Sequence, residues 1–253
     1  MDRHKDAARL LLSARRDPAQ PLRAFPTALA PRTLEQAVLI QREVAAALGR
    51  IGGWKVGSPS PDGPCTCAPM PLSAIRASPA KAAEPPAHVP GVQIEAEIAV
   101  LLAHGLPARE APYARDDVLA AIAGAHPAVE VLHSRFADPD AVDELSRLAD
   151  GLSNAAFVHG PAVPGWRAVD LAQEEVVVRV NGAEVGRGRG NPAGDMVRLL
   201  VWLANEGARW AGGLEAGQWI TTGAWTGKHA APPGGRAEAE FTRMGTAVAT
   251  FPV

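Results

Sequence analysis

Two glutamates one residue apart, Glu95 and Glu97, lie inside the apolar run Gly91-Val-Gln-Ile-Glu-Ala-Glu-Ile-Ala-Val-Leu-Leu102. In an extended strand side chains alternate between faces, so Gln93, Glu95 and Glu97 point one way and Val92, Ile94, Ala96 and Ile98 the other. Two carboxylates held that close raise each other's pKa unless a cation sits between them, and an all-oxygen donor set suits a hard ion such as Mg2+ or Mn2+. A third acid, Glu130, stands in Ala128-Val-Glu-Val-Leu132, where alternation sets it with Leu132 on the face opposite Val129 and Val131. Three carboxylates plus water leave open coordination positions, which a catalytic cation needs in order to hold a chelating substrate. The competing reading is three acids on the solvent faces of ordinary strands. The chain carries its own control in Glu238-Ala-Glu240, which has the same spacing but follows the polar stretch Pro232-Pro-Gly-Gly-Arg236. Apolar context, not spacing, separates the two pairs.

Lys55 lies in Gly52-Gly-Trp-Lys-Val-Gly57. If extended, this segment puts Lys55 on one face with Gly53 and Gly57, whose missing side chains leave room for a ligand. A lysine so placed could hold a substrate carboxylate or transfer protons; the alternative is a surface lysine between two core side chains. The segment Gly186-Arg-Gly-Arg-Gly190-Asn-Pro-Ala-Gly194 has neither the G-x-G-x-x-G spacing nor a P-loop ending, and a hairpin precedes it, so dinucleotide binding is rejected. His126, His133 and His159 are scattered and read as packed or surface residues. Cys65 and Cys67 read as two reduced loop thiols, since no second Cys/His cluster completes a zinc site.

These side chains need a scaffold. The 253 residues fit one large domain, or a core with a modest appendage, and 25 basic against 27 acidic residues give no electrostatic reason to expect nucleic acid or an anionic membrane as partner. No apolar run approaches the roughly 20 residues of a spanning helix, and the start of the chain lacks a signal-peptide core, so a cytoplasmic location is expected. Helical spacing marks residues 4–16. A Thr33/Gln36 capping box and Gly49 bracket a second helix, with Leu34, Val38, Gln41 and Val44 along one face. Residues 1–50 are thus expected as a helical amino-terminal appendage, and 51–253 as the catalytic domain. From Ile51 onward short β-branched runs dominate: residues 54–56, 94–102, 129–132, 175–180 and 219–222, with a tight turn at Asn181-Gly182. Helices are expected after Asp116 or Asp117, ending near Gly124 before Pro127 opens a new strand, and over residues 141–148 and 194–206. The strands do not alternate regularly with helices, which indicates an α+β fold with a mixed or antiparallel sheet.

Six motifs in order, Gly53-Trp-Lys-Val-Gly57, Glu95-Ala-Glu97, Ala128-Val-Glu-Val-Leu-His-Ser-Arg135, Ala149-Asp-Gly-Leu-Ser-Asn-Ala-Ala-Phe-Val158, Trp202-Leu-Ala-Asn205 and Ile220-Thr-Thr-Gly-Ala-Trp-Thr226, cover most of the chain from Leu34. Together they resemble the 2-keto-4-pentenoate hydratase and 4-oxalocrotonate decarboxylase branch of the fumarylacetoacetate hydrolase superfamily. The resemblance implies a helical amino-terminal part followed by a mixed β-roll, and Mg2+ or Mn2+ on Glu95, Glu97 and Glu130. It implies Lys55 and Asp150 as catalytic residues and Ser153 and Thr226 as substrate contacts. Gly151 and Asn154 stand where that family has an asparagine and a second serine. The implied reaction is hydration of a 2-hydroxy-2,4-dienoate to a 4-hydroxy-2-oxo acid in aromatic meta-cleavage catabolism. The alternatives are a 4-oxalocrotonate-type decarboxylase, an acylpyruvate hydrolase and a non-catalytic relative. A homo-oligomer is implied, as is a complex with a related decarboxylase or hydratase.

Overall fold

The computed structural model describes residues 2–81 and 92–252. Gly91, which opens the acid-bearing run, lies outside them. Helices α1 (Arg3–Arg16) and α2 (Leu34–Leu48) lead the chain. The Thr33 hydroxyl caps α2 by accepting from the Gln36 N–H at 3.2 Å, but the Gln36 side chain reaches one residue further back than in a regular capping box and accepts from Arg32 N–H at 2.8 Å. Gly49, at φ +97°, ends the helix.

The buried face of α2 differs from the expected one. Ala37, Ile40, Gln41 and Ala45 are inside, whereas Leu34 is 61% exposed. Small residues decide the matter: Ala37 packs with Ala7, Ala8 and Leu11 of α1, and an alanine seam lets two helices approach where leucine would hold them apart. The same cluster takes in Phe25, Phe136, Val142, Leu148 and Ala149, so the amino-terminal helices share a core with the middle of the chain. Buried Gln41 donates to the carbonyls of Cys67 and Leu148, tying three elements at one point.

The strands run β1 (Ile51–Gly57), β2 (Thr66–Pro71), β3 (Ile75–Ala77), β4 (Ala80–Lys81), β5 (Gln93–Leu102), β6 (Leu106–Pro107), β7 (Ile122–Leu132), β8 (Asn154–His159), β9 (Glu175–Val180), β10 (Ala183–Arg189), β11 (Gly213–Leu214), β12 (Trp219–Thr221), β13 (His229–Ala230), β14 (Arg236–Phe241) and β15 (Gly245–Thr250). Three helices intervene, α3 (Arg115–Ala121), α4 (Glu144–Ala149) and α5 (Met196–Trp202), the last continuing into a π-helical turn at Leu203–Gly207. The main sheet has the order β2-β1-β12-β5-β7-β8-β3, with β13 also on β5; the second is β10-β9-β14-β15-β4, and β11-β6 is a small pair. Parallel and antiparallel pairings coexist in both larger sheets. The expected α+β fold, with amino-terminal helices followed by mixed sheets, is what the chain adopts.

One face of β5 and β7 (Ile94, Ala96, Ile98, Val100, Val129, Val131) is buried in a cluster with Val176, Val178, Ala237, Ala239 and Phe241 of the second sheet and Leu199 and Leu200 of α5. At about 1.5–3 kcal/mol for each large apolar side chain buried, this seam fixes the register of β5 against β7. The other face is left for chemistry.

Two local expectations are corrected. Helix α3 stops at Ala121, not near Gly124, and β7 starts at Ile122, so Pro127 lies inside the strand. Proline is tolerated there because its carbonyl, and hence its missing N–H, faces β8 where that strand ends: Pro127 O accepts from Gly160 N–H at 2.7 Å, outside the β5 ladder. Room for a ligand was expected beside Gly53, but a Cβ there would lie 2.4 Å from the Trp219 carbonyl oxygen. That glycine serves strand packing. Gly57, whose nearest neighbour would be Gly223 Cα at 3.8 Å, is open.

Candidate metal centre and active site

The site rests on the ladder of β5 with β7. Register sets Glu95 directly opposite Glu130, with Glu97 two residues along on the same face. Oxygens of all three lie within 4.8 Å of one another, and Glu97 and Glu130 are fully buried while Glu95 is 9% exposed. Glu238 and Glu240, on the more exposed face of β14, are instead ion-paired with Arg236 and Arg179. The contrast expected from context holds.

Each of the two deepest acids is tied down by one oxygen only. Glu97 Oε2 accepts from the Thr221 hydroxyl and from Gly223 N–H at 2.8 Å, leaving Oε1 buried without a partner. Glu130 Oε1 accepts from Lys55 Nζ at 2.7 Å and Asn154 Nδ2 at 2.8 Å, leaving Oε2 likewise buried and unpartnered. A buried oxygen without a hydrogen bond is costly. Two such oxygens and a third carboxylate, converging within a few ångströms, form a donor set that fits a hard divalent cation. Burial pushes Glu97 well above the usual carboxylate range, and repulsion from Glu130 and Glu95 adds to it. Glu95 is raised too, by burial first, with Lys55 opposing. Burial works against the charge on Lys55, yet attraction to Glu130, Glu95 and Glu97 leaves its ammonium above the ordinary value of 10.5.

Lys55 comes from β1, with β12 between it and the acids. Its Nζ also donates to the Leu152 carbonyl at 3.2 Å. That carbonyl is presented by three successive residues in the left-handed region, Gly151 (φ +65°), Leu152 (φ +53°) and Ser153 (φ +64°). Glycine at 151 takes up the first of these at no steric cost, but Leu152 and Ser153 hold strained backbone, a feature that clusters at functional sites.

A cavity opens over the acids, lined among others by Lys55, Glu95, Glu97, Ser153, Arg147 and Lys228. Ser153 is thus part of this lining. Asp150 is not in this lining. Its buried carboxylate accepts from Arg135 Nε, from the Ser134 hydroxyl at 2.9 Å and from Arg135 N–H at 3.1 Å, and Asp150 lines a different cavity, with Leu11, Val44, Leu48 and Ile51. A carboxylate so fully engaged braces the end of α4. Thr226 is also absent from the lining: its hydroxyl pairs with His229 Nε2 at 2.9 Å. Sequence reasoning missed Lys228, Thr221 and the amide of Asn154. Thr221 was reachable from strand alternation along β12; Lys228 sits in a loop whose path no periodicity reveals.

The remaining candidates are quiet. His126 and His159 are packed around Trp219, and burial lowers the pKa of both. Burial, with Arg135 and Arg15 nearby, takes His133 down to about 4. The glycines of the Gly186–Gly190 stretch pack closely instead of cradling phosphate: Cβ atoms at Gly186 and Gly188 would strike the His229 ring and the Trp225 carbonyl. Among the described residues no helix is long and apolar enough to cross a membrane.

Comparison with known proteins adds an independent line. The Fumarylacetoacetate (FAA) hydrolase C-terminal family matches residues 69–251. A 2-keto-4-pentenoate hydratase of Burkholderia vietnamiensis is 32% identical over 160 residues, 63% of this chain and 60% of that protein. A 4-oxalocrotonate decarboxylase of Pseudomonas putida is 32% identical over 164 residues, with the same coverage of 63% and 60%. The chain thus spans about 60% of the length of the curated relatives it matches. Among solved structures, the 4-oxalocrotonate decarboxylase of Pseudomonas putida G7, complexed with calcium and acetate, superposes with a TM-score of 0.83 at 25% identity, over 99% of this chain and 97% of that one.

Proposed function

The chain belongs to the fumarylacetoacetate hydrolase family, and from that premise we propose that it is a divalent-metal-dependent hydratase adding water to a 2-hydroxy-2,4-dienoate to give a 4-hydroxy-2-oxo acid. The observation that carries this reading is the pair of orphaned oxygens, Glu97 Oε1 and Glu130 Oε2, facing a third carboxylate beneath an open cavity. Glu95, Glu97 and Glu130 would hold the cation, Mg2+ or Mn2+, and when bound it supplies a Lewis acid for the carboxylate and 2-oxo oxygen of a chelating acid.

The chain's own residues would handle the protons and the water. Lys55 spends two of its three N–H donors on Glu130 and Leu152, which fixes Nζ and leaves one hydrogen for the cavity. The Lys55 ammonium would protonate C5 of the dienol as its 2-hydroxyl proton is lost to solvent; the resulting amine would take a proton from the water that adds at C4 and pass it to C3, and solvent would restore the ammonium. Ser153 lines the same cavity and would orient the substrate; Leu132, Leu152 and Pro192 supply apolar walls that limit stray water. Asp150 would act through Arg135 and α4 as a positioning residue. The small-molecule partner is a 2-oxo or 2-hydroxydienoic acid, and we extend the reading to a homo-oligomeric, cytoplasmic enzyme.

A second reading, decarboxylation of a 2-oxo-3-enedioate, has support because relatives of both names match at 32% identity. The test is ultraviolet absorbance of 2-hydroxypenta-2,4-dienoate and of 4-oxalocrotonate with purified protein, Mg2+ and a chelator control. Metal-dependent loss of the dienoate signal with 4-hydroxy-2-oxopentanoate as product is the expected result. Release of carbon dioxide from 4-oxalocrotonate without dienoate hydration would transfer the assignment to a decarboxylase.

A further inference from the structure

Glu97 and Glu130 each keep one oxygen for a ligand, but the donors on the other oxygen differ. On Glu97 they are a threonine hydroxyl and a backbone N–H. On Glu130 they are two side chains, Lys55 Nζ at 2.7 Å and Asn154 Nδ2 at 2.8 Å. The lysine is the group that would give up a proton during turnover, whereas a carboxamide nitrogen donates whatever the charge of its neighbours. Asn154 is therefore the constant partner of Glu130 Oε1.

A slip in strand register brings Asn154 to that position. Glu130 and Val131 of β7 pair with Phe157 and Ala156 of β8, and the next pair is Leu132 with Asn154, so β8 carries one extra residue, Ala155. Regular alternation would turn Asn154, like Ala156, into the core; the extra residue turns it instead to the face of Leu132 and Glu130. Ala155 and Ala156 both lie in the core cluster, as this requires. Asn154 is itself buried, and its carbonyl accepts from Arg135 Nη1 at 2.9 Å, the guanidinium that pairs with Asp150. So anchored, the amide cannot follow Glu130 if that carboxylate rotates.

Two acids tied in this way offer a cation one oxygen each. Mg2+ suits such ligands, because it keeps several waters and takes single oxygens from one or two carboxylates; Ca2+ gathers about six to eight oxygens and often takes both from one carboxylate. For Glu130 to give both, Oε1 must first leave two donors, one of them immobile. We infer that Asn154 is a positioning residue for the metal, holding Glu130 to one coordinating oxygen and thereby biasing the site toward Mg2+ and against Ca2+. The inference rests on the reading above, in which Glu95, Glu97 and Glu130 hold the cation.

Calorimetric titration of Mg2+ and of Ca2+ into chelator-treated protein tests it without turnover, with Asn154→Ala and Asn154→Asp beside wild type. Alanine removes the donor and the volume; aspartate keeps the shape and removes only the donor. In both variants the ratio of Mg2+ to Ca2+ affinity should fall about 10-fold, the size of effect typical of a lost outer partner of a metal ligand. General loosening of the site would weaken both ions and leave the ratio where it was. The bond from Arg135 and the strand pairing use only backbone atoms of residue 154, so both variants should fold, which melting curves check. An unchanged ratio in the variants would overturn the assignment and leave the metal site standing. Absence of binding of either ion to wild type would overturn the assignment together with the reading it rests on.

Discussion

Glu97 is the residue on which the energetics of the site turn. With burial and two neighbouring acids holding it above its ordinary value of 4.5, the folded chain retains a proton there at pH values where the unfolded chain has lost it. Stability without metal therefore falls as pH rises from about 4.5 through the raised folded value, and stays lost above it. Glu97→Gln removes that titration while keeping an acceptor for Thr221 and Gly223. In chelator the variant should gain on wild type between pH 5 and pH 8, whereas added Mg2+ should raise the melting temperature of wild type alone. Parallel melting curves at both pH values would mean that Glu97 is not held under strain by its neighbours. At this scale the sequence was informative where an acid interrupted an apolar run, as at Glu95, Glu97 and Glu130. It was uninformative for Asp150, whose partner Arg135 lies 15 positions away and is met only after the chain folds back.

Strand packing sets the next level, and glycines show its limits. Gly53 and Gly57 share a face of β1 with Lys55, but backbone of β12 fills the space above the first and the cavity opens above the second. Gly53→Ala should cost about 1–3 kcal/mol through overpacking against Trp219. Gly57→Ala should change stability by less than about 1 kcal/mol yet raise KM by narrowing the cavity. Urea unfolding and steady-state kinetics on the pair separate the two roles, and equal stability losses would contradict the distinction. The strands themselves were legible from alternation, because β5 and β7 have one face in the core. The leucines and valines of α2 suggest a stripe that close helix approach through Ala37 overrides. Pro127 misled in the same manner: its place in β7 depends on where β8 ends, which local sequence does not encode.

Across the whole molecule, the site is assembled from segments far apart in the chain. Lys55 comes from β1, two acids from β5, the third from β7, the hydroxyl and N–H on Glu97 from β12 and the turn after it, and the carbonyl on Lys55 from the loop after α4. The two-sheet core holds the acids in register, and the amino-terminal helices, through Gln41 and the cluster around Ile40, hold α4 and β2. Such convergence was legible only as an ordered set of motifs resembling one family. The sequence alone could not say that Thr226 would turn toward His229 or that Lys228 and Arg147 would flank the cavity. The central claim is that this convergence exists to hold one divalent cation. Calorimetric titration of Mn2+ into chelator-treated protein tests it most directly, with Glu95→Gln, Glu97→Gln and Glu130→Gln beside wild type. One ion bound per chain in wild type, with binding lost or weakened at least 10-fold in each variant, is the result the account predicts. Absence of binding to wild type, or equal binding to all four proteins, would contradict it.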